Sequence, residues 1–516
     1  MSAAPQVRIL VLLVLCAAGV ALVGRAWHLR PKETTGLVAP QYLRPASPSF
    51  LAEAAAIRKA ESIEDESESC ADYPDPAGYS WDPAVVAAYC RVRSYTHLSI
   101  DEIEAALADG GKARLAEAFA GYQRENFDDP SRRGVLIRSF RSLFFNAAPR
   151  TGEVAESWVT ADENSTHARV ARGLHRVALA EAARGEAWIQ QTPRENIVRM
   201  REHLDRARED LEWAIRRDGR QTAALHGLLH VARLANNDAL LRESVETAMA
   251  VDPTDERLYF DWMHAVEPRW GGSIEAMNAV AAEAERHADA NPLLKLLRGK
   301  PIAERAELAW HRRRYAEAMK LYDEALRLGP DQGNLPEMAR LAAGQGDHER
   351  AVRYYSQAYR FSRDPTYVAE RSKLLVYLMQ NDWALEDVDR LLTRYPQHVE
   401  LLLARGTVQW HGRPHDAEQA YRTVLEIQPA HEAAGTALAR LYVTTGALDK
   451  AAALTAQLLE KHPQSAALWL ARGMATTRTD PAESRKAFES YLRFVDSSDP
   501  NQRAYIEEAR RRLQSS

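Results

Sequence analysis

The sequence predicts an all-α protein built as an array of two-helix units. Three observations carry that expectation. From about residue 71 onward apolar residues recur at helical spacing, and no stretch sustains the period-two alternation of a strand. The C-terminal half repeats itself: YAEAMKLYDEALRLGP ending at Pro330, DAEQAYRTVLEIQP ending at Pro429 and LDKAAALTAQLLEKHP ending at Pro463 overlay when aligned on proline. The chain has 516 residues, 46% hydrophobic and 27% charged, a composition of ordinary folded protein at a length too great for one core.

The first element is an apolar run, ILVLLVLCAAGVALV at 9–23, between Arg8 and Arg25 with Trp27 beyond. It matches a signal-peptide core or a short membrane span, and the flanking arginines and tryptophan suit the interface. The preferred reading of residues 1–30 is an uncleaved anchoring helix; a cleaved signal peptide, giving a secreted form, is the alternative. Residues 31–70, with prolines at 31, 40, 45 and 48 and the acidic string ESIEDESES, read as a disordered linker. Cys70 and Cys90 are the only cysteines outside the apolar run. They suit one disulfide in an oxidising compartment, with two unrelated buried thiols as the alternative. The positive-inside rule alone would place the body in the cytoplasm, whereas the cysteines favour a periplasmic body held by a single pass in an inner membrane.

A helical region at 71–187 is followed by the repeats. Pro429 and Pro463 stand 34 residues apart and Pro396 and Pro429 stand 33 apart. Within each unit the second helix alternates small and large residues: Ala318, Tyr322 and Ala325, then Ala351, Tyr355 and Ala358. Gly346-Asp347 and Gly446 mark hairpin turns; in the unit holding Trp383 an Asn-Asp turn stands in their place. An earlier copy, TAALHGLLHVARLANNDALLRESVETAMAVDP, ends at Pro253. Over 188–500 the chain resembles the tetratricopeptide-repeat superfamily. The resemblance implies a right-handed solenoid of helical hairpins (188–300, then 301–516) in which each unit buries its faces only against neighbours, with the helix YIEEARRRLQSS as C-terminal cap.

Residues 110–290 resemble a narrower bacterial family, the domain of unknown function 4034. The likeness lies in Trp158-Val159 with Ala171-Arg172-Gly173, in Met200, Ala207, Asp210-Leu211, Ala214 and Asp218, and in PRWGGSIEAM at 268–277. It implies an architecture and no activity.

No catalytic residue is expected: the chain has no nucleophile elbow, no dinucleotide fingerprint and no paired Cys-x-x-Cys. An enzyme of unknown class with its site in 71–290 is the rival reading. No cofactor and no metal are expected, since His226 and His230, four apart on one helix, lack a third ligand at a recognisable spacing. The net charge of −5 shows no basic surplus, so nucleic acid is not an expected partner. In Pro268-Arg269-Trp270-Gly271-Gly272-Ser273 the proline ends a helix, the glycines allow a left-handed turn and the serine caps the next helix. An anion-binding loop is the less favoured alternative.

The repeat resemblance implies a partner-binding groove lined by first helices, with the fifth, ninth and twelfth places pointing inward. Those places hold His226, His230, Arg233, Trp310, Arg340 and Arg440, with Trp410 one place off. Arginine and tryptophan are enriched at interface hot spots, and arginines along a groove favour an acidic or C-terminal-carboxylate peptide or protein.

Overall fold

A computed structural model describes residues 43–93, 95–185, 191–497 and 502–515. Among these residues every regular element is an α-helix or a short 3₁₀ stretch, and none is a strand. The chain forms two compact units, one of Ala60–Asn334 and one of Leu335–Ser516 together with the described residues up to Lys59. The apolar run at 9–23 lies outside the described residues. No helix among those described is long and apolar enough to cross a membrane.

The second unit is a stack of hairpins. Helix Asn334–Gly344 pairs with His348–Ser362, Pro365–Tyr377 with Asn381–Arg394, Val399–Gln409 with Pro414–Ile427, Glu432–Thr444 with Leu448–Leu459, and Ala466–Thr476 with Pro481–Phe494. First helices pack on the first helices that follow them, as Pro365–Tyr377 does on Val399–Gln409. Ala351, Tyr355 and Ala358 are all buried, the small residues letting helices approach and the ring filling the gap between them. Helix Arg503–Ser515 closes the stack by burying Ile506 and Ala509 against Leu470, Phe488 and Tyr491.

The hairpin turns share one backbone requirement. Gly346 and Gly446 have φ of 77° and 79°, the left-handed conformation that ends a first helix. In the unit of Trp383 the same place, 33 residues after Gly346, is Met379 with φ 58°. The turn therefore lies at Met379, and Asn381 begins the second helix instead of forming an Asn-Asp turn.

The linker expectation fails for 43–70. Residues Pro48–Glu61 form a helix whose Phe50, Ala54 and Ile57 are buried. Phe50 packs 6.3 Å from the Trp383 ring, Glu53 pairs with Arg353 at 2.7 Å, and Ser47 bonds to Glu349 through its amide and hydroxyl. Pro48 occupies the first helical position, where its missing N–H costs nothing. The acidic string is also structured. Asp65 caps helix Glu66–Asp72 by accepting from the amides of Ser67 and Glu68, and Glu66 and Glu68 sit at the helix's positive end.

In the first unit, helices Lys112–Asp128, Val135–Phe144, Pro149–Ala161, Thr166–Arg184 and Arg194–Arg217 surround a core of Phe119, Phe140, Phe144, Trp158, Leu174 and Leu211. A disulfide joins Cys70 to Cys90, their Cα atoms 5.7 Å apart, and both residues are buried. The unit closes on the hairpin Lys300–His311 with Tyr315–Arg327, where Ala318, Tyr322 and Ala325 are buried.

Candidate functional site

The residues expected to share one groove occupy three different environments. Arg340 is half-buried and ion-paired with Glu337 three residues earlier on its own helix. One repeat on, Lys373 pairs with Glu370 at 2.6 Å, so successive first helices carry the same acid–base rung. Arg440 instead donates to the Tyr505 hydroxyl at 2.8 Å and lies 5.3 Å from that ring, fastening the terminal helix. Trp410 meets the Tyr421 ring edge-on at 6.2 Å, and Trp310 meets Tyr315 edge-on at 4.9 Å. The rungs lie on one face of the second unit, with the guanidinium and ammonium groups already neutralised locally.

His226, His230 and Arg233 do not line an open groove. Helix Thr222–Ala235 is buried on every side from Thr222 to Leu234, because helices Val135–Phe144 and Thr166–Arg184 cover the face that an isolated repeat would expose. His226 is 1% exposed, with Nδ1 2.9 Å from Asp261 and Nε2 2.9 Å from Asp255. Two carboxylates facing two ring nitrogens require both nitrogens to carry hydrogen, which is the imidazolium. Burial works against that charge, but Asp255 and Asp261 outweigh it and raise the His226 pKa to about 9. An imidazolium has no lone pair to give a metal.

The charges around it are matched one by one. Asp255 also caps helix Glu256–Ala265 through the amides of Arg257 and Leu258. Asp261 accepts from Arg257 at 2.7 Å and lies 3.6 Å from Arg141. Burial pushes the Asp261 carboxyl up, yet Arg257, Arg141 and the histidines hold it well below the carboxylate range. His230 fits between Glu181, 3.1 Å from Nδ1, and Arg141, 3.1 Å from Nε2. Glu181 also binds Arg233 and is driven down to about 2 against its burial by His230, Arg233 and Arg141. Asp255, Asp261, Glu181, Arg141 and Arg257 were not singled out in the sequence. The signal for them was the helix TAALHGLLHVARLA itself, apolar all round and so bound to be interior.

The Pro268–Ser273 turn behaves as its residues require. Pro268–Trp270 is a 3₁₀ turn, Gly271 has φ 91°, and Ser273 caps helix Ile274–Glu285 by accepting from the Ala276 amide at 3.1 Å. A Cβ on Gly272 would lie 1.9 Å from the Val266 carbonyl oxygen, so only glycine fits. Trp270 leans on the core with the Arg233 guanidinium 4.4 Å above its ring, which links the turn to the buried charges.

Two segments of the narrower likeness touch each other. Arg172 grips buried Asp210 through two bonds of 2.8 Å, and Arg169 and Arg176 add bonds of 3.0 and 2.6 Å. Beside them a Cβ on Gly173 would come within 2.8 Å of Leu211. Among the described residues no group of three metal-type ligands is placed to hold an ion.

One tetratricopeptide repeat family model matches residues 280–333 and another matches residues 411–474. No curated protein matches the chain. Among solved structures, a tetratricopeptide repeat protein from Parabacteroides merdae is similar at 18% identity and a TM-score of 0.37, over 53% of this chain and 98% of that one. Yeast Tom70 is similar at 10% identity and a TM-score of 0.36, over 80% of this chain and 95% of that one. Neither family match reaches residues 110–279, and the likeness to the domain of unknown function 4034 is not confirmed. The family matches, beside the hairpins and their repeated turn position, identify tetratricopeptide repeats at 280–333 and 411–474 within an all-helical chain.

Proposed function

We propose that the protein is an adaptor that binds a protein or peptide along the stacked first helices of its second unit. It is held at a membrane by residues 1–30, with its body on the oxidising side of an inner membrane. The observation that supports the binding role most is the run of equivalent first-helix faces, with the rungs Glu337–Arg340 and Glu370–Lys373 in register. A ladder of paired charges suits a partner that exchanges ion pairs with it, and such exchange favours specificity more than raw affinity. The disulfide between Cys70 and Cys90 supports the compartment. The rival reading, an enzyme with its site in 71–290, gains little from the buried charges, since each is held by a partner of opposite sign.

The test is recovery of partners by the tagged full chain, purified from detergent-solubilised membranes after thiols are blocked in intact cells. The chain is expected in the membrane fraction, with Cys70 and Cys90 protected from alkylation. Arg340→Glu with Lys373→Glu should remove the recovered partner while leaving the melting temperature within a few degrees. Arg440 is left intact because it holds the terminal helix. Unchanged recovery from the folded double variant would discard the groove, and free thiols would discard the compartment.

A further inference from the structure

The turn that joins helix Lys300–His311 to helix Tyr315–Arg327 reads His311-Arg312-Arg313-Arg314-Tyr315 and is exposed throughout. Arg305, on the preceding helix, is exposed as well. Arg314 is paired with Glu317 at 2.8 Å and His311 with Glu307 at 3.2 Å. Arg305, Arg312 and Arg313 make no ion pair among the described residues. At the ends of this basic tip stand two rings, half-buried Trp310 and exposed Tyr315, edge-on at 4.9 Å.

The backbone adds an independent observation. Arg313 has φ 59°, the left-handed conformation that glycine adopts at the matching turn position 33 residues later, Gly346. A long cation stands where glycine would relieve strain. Its side chain contributes no contact to the fold that would offset that strain.

We infer that this tip docks on an anionic phospholipid surface. Guanidinium groups bind lipid phosphates, and each basic residue near an anionic leaflet strengthens binding several-fold, so three free arginines together supply on the order of 100-fold. Tryptophan and tyrosine are the side chains that settle at the headgroup boundary, with the ring body in the apolar edge and the polar atom in water. An acidic peptide would need a concavity to enclose it, and a hairpin turn offers a convex tip. The inference is independent of the anchor proposed for residues 1–30, although such an anchor would keep a lipid surface within reach.

The test is hydrogen exchange across residues 305–320 of the full chain, added to vesicles of equal phosphatidylglycerol and phosphatidylcholine or of phosphatidylcholine alone. Exchange should slow several-fold on the anionic vesicles only, and the protection should vanish in 0.5 M salt, roughly the range where screening falls within contact distance. Arg312→Ser with Arg313→Gly should abolish it. That variant relieves the left-handed strain, so loss of folding does not confuse the result. Equal exchange on the two vesicle types would overturn the inference, as would protection by soluble polyglutamate in the absence of vesicles. Failure of the chain to insert would count against the anchor alone, because the local exchange is still read on bound or unbound vesicles.

Discussion

Replacing His226 by glutamine removes the one cation that touches both Asp255 and Asp261. The ring is 1% exposed and bridges the two carboxylates at 2.9 Å each, so no water can take its place without repacking. Its pKa stands at about 9 against the ordinary 6.5, a rise worth on the order of 3 kcal/mol at about 1.4 kcal/mol per unit. The folded-state value is the higher one. The contribution is therefore complete below pH 6.5 and is lost as pH rises through 9. Glu181 and Asp261 are held low and stay ionised throughout that window, and burial holds His167 near 4, so it stays neutral; none of them adds to the slope. At pH 6 the glutamine variant should lose roughly 3–5 kcal/mol, the usual cost of stripping one partner from a buried ion pair. For a unit of this size that is roughly 6–20 °C in melting temperature. The parent should lose most of that margin between pH 6.5 and 9.5 and the variant should not. Hydrogen exchange of helix Thr222–Ala235 would locate the effect in the first unit, which a global melt of a two-unit chain does not. A parent whose exchange is flat across that window, or a variant as protected as the parent at pH 6, would refute the reasoning.

The two remaining predictions concern the second unit. Met379→Gly should raise stability by about 0.5–1 kcal/mol, since the side chain is 55% exposed and its φ of 58° belongs to glycine in the matching turns; Gly346→Ala should lower it by a similar amount in the same melts. Phe50→Ala should cost about 3–5 kcal/mol locally, freeing helix Pro48–Glu61 so that trypsin cuts at Arg58 and Lys59 while the hairpins stay folded; cleavage no faster than in the parent would show that Phe50 does not hold the helix.

These sites differ in how far the sequence alone revealed them. The hairpins were legible because their determinants are local: Gly346 and Gly446 for the turns, Ala351, Tyr355 and Ala358 for the packing face, Ser273 for a cap. Helix Pro48–Glu61 was missed because its prolines and the acidic run beyond it dominate the composition, while its apolar stripe is only Phe50, Ala54 and Ile57. What stabilises it stands some 300 places away at Glu349 and Arg353, and no local pattern encodes a partner at that distance. The buried charges failed for the same reason. His226 meets residues 29 and 35 places on, and His230 meets Arg141 89 places back, so a repeat-by-repeat register leaves both histidines facing solvent.

The contact between Arg172-Gly173 and Asp210-Leu211 bears on how motif-like strings in such chains are read. Taken singly, an Arg-Gly pair and an Asp-Leu pair on separate helices suggest surface chemistry. Here one arginine clamps the aspartate with two bonds of 2.8 Å, and the glycine beside it makes room for the leucine next to that aspartate. Charge pairing and close approach thus fix the same register between helices Thr166–Arg184 and Arg194–Arg217. A slip of one turn would bury Asp210 without its arginines, a cost of several kcal/mol, and would drive Leu211 into a side chain. Such a pair of strings is a folding constraint of the first unit, so partner binding is better sought where exposed charge goes unmatched, at Arg305, Arg312 and Arg313, than where residues form memorable strings.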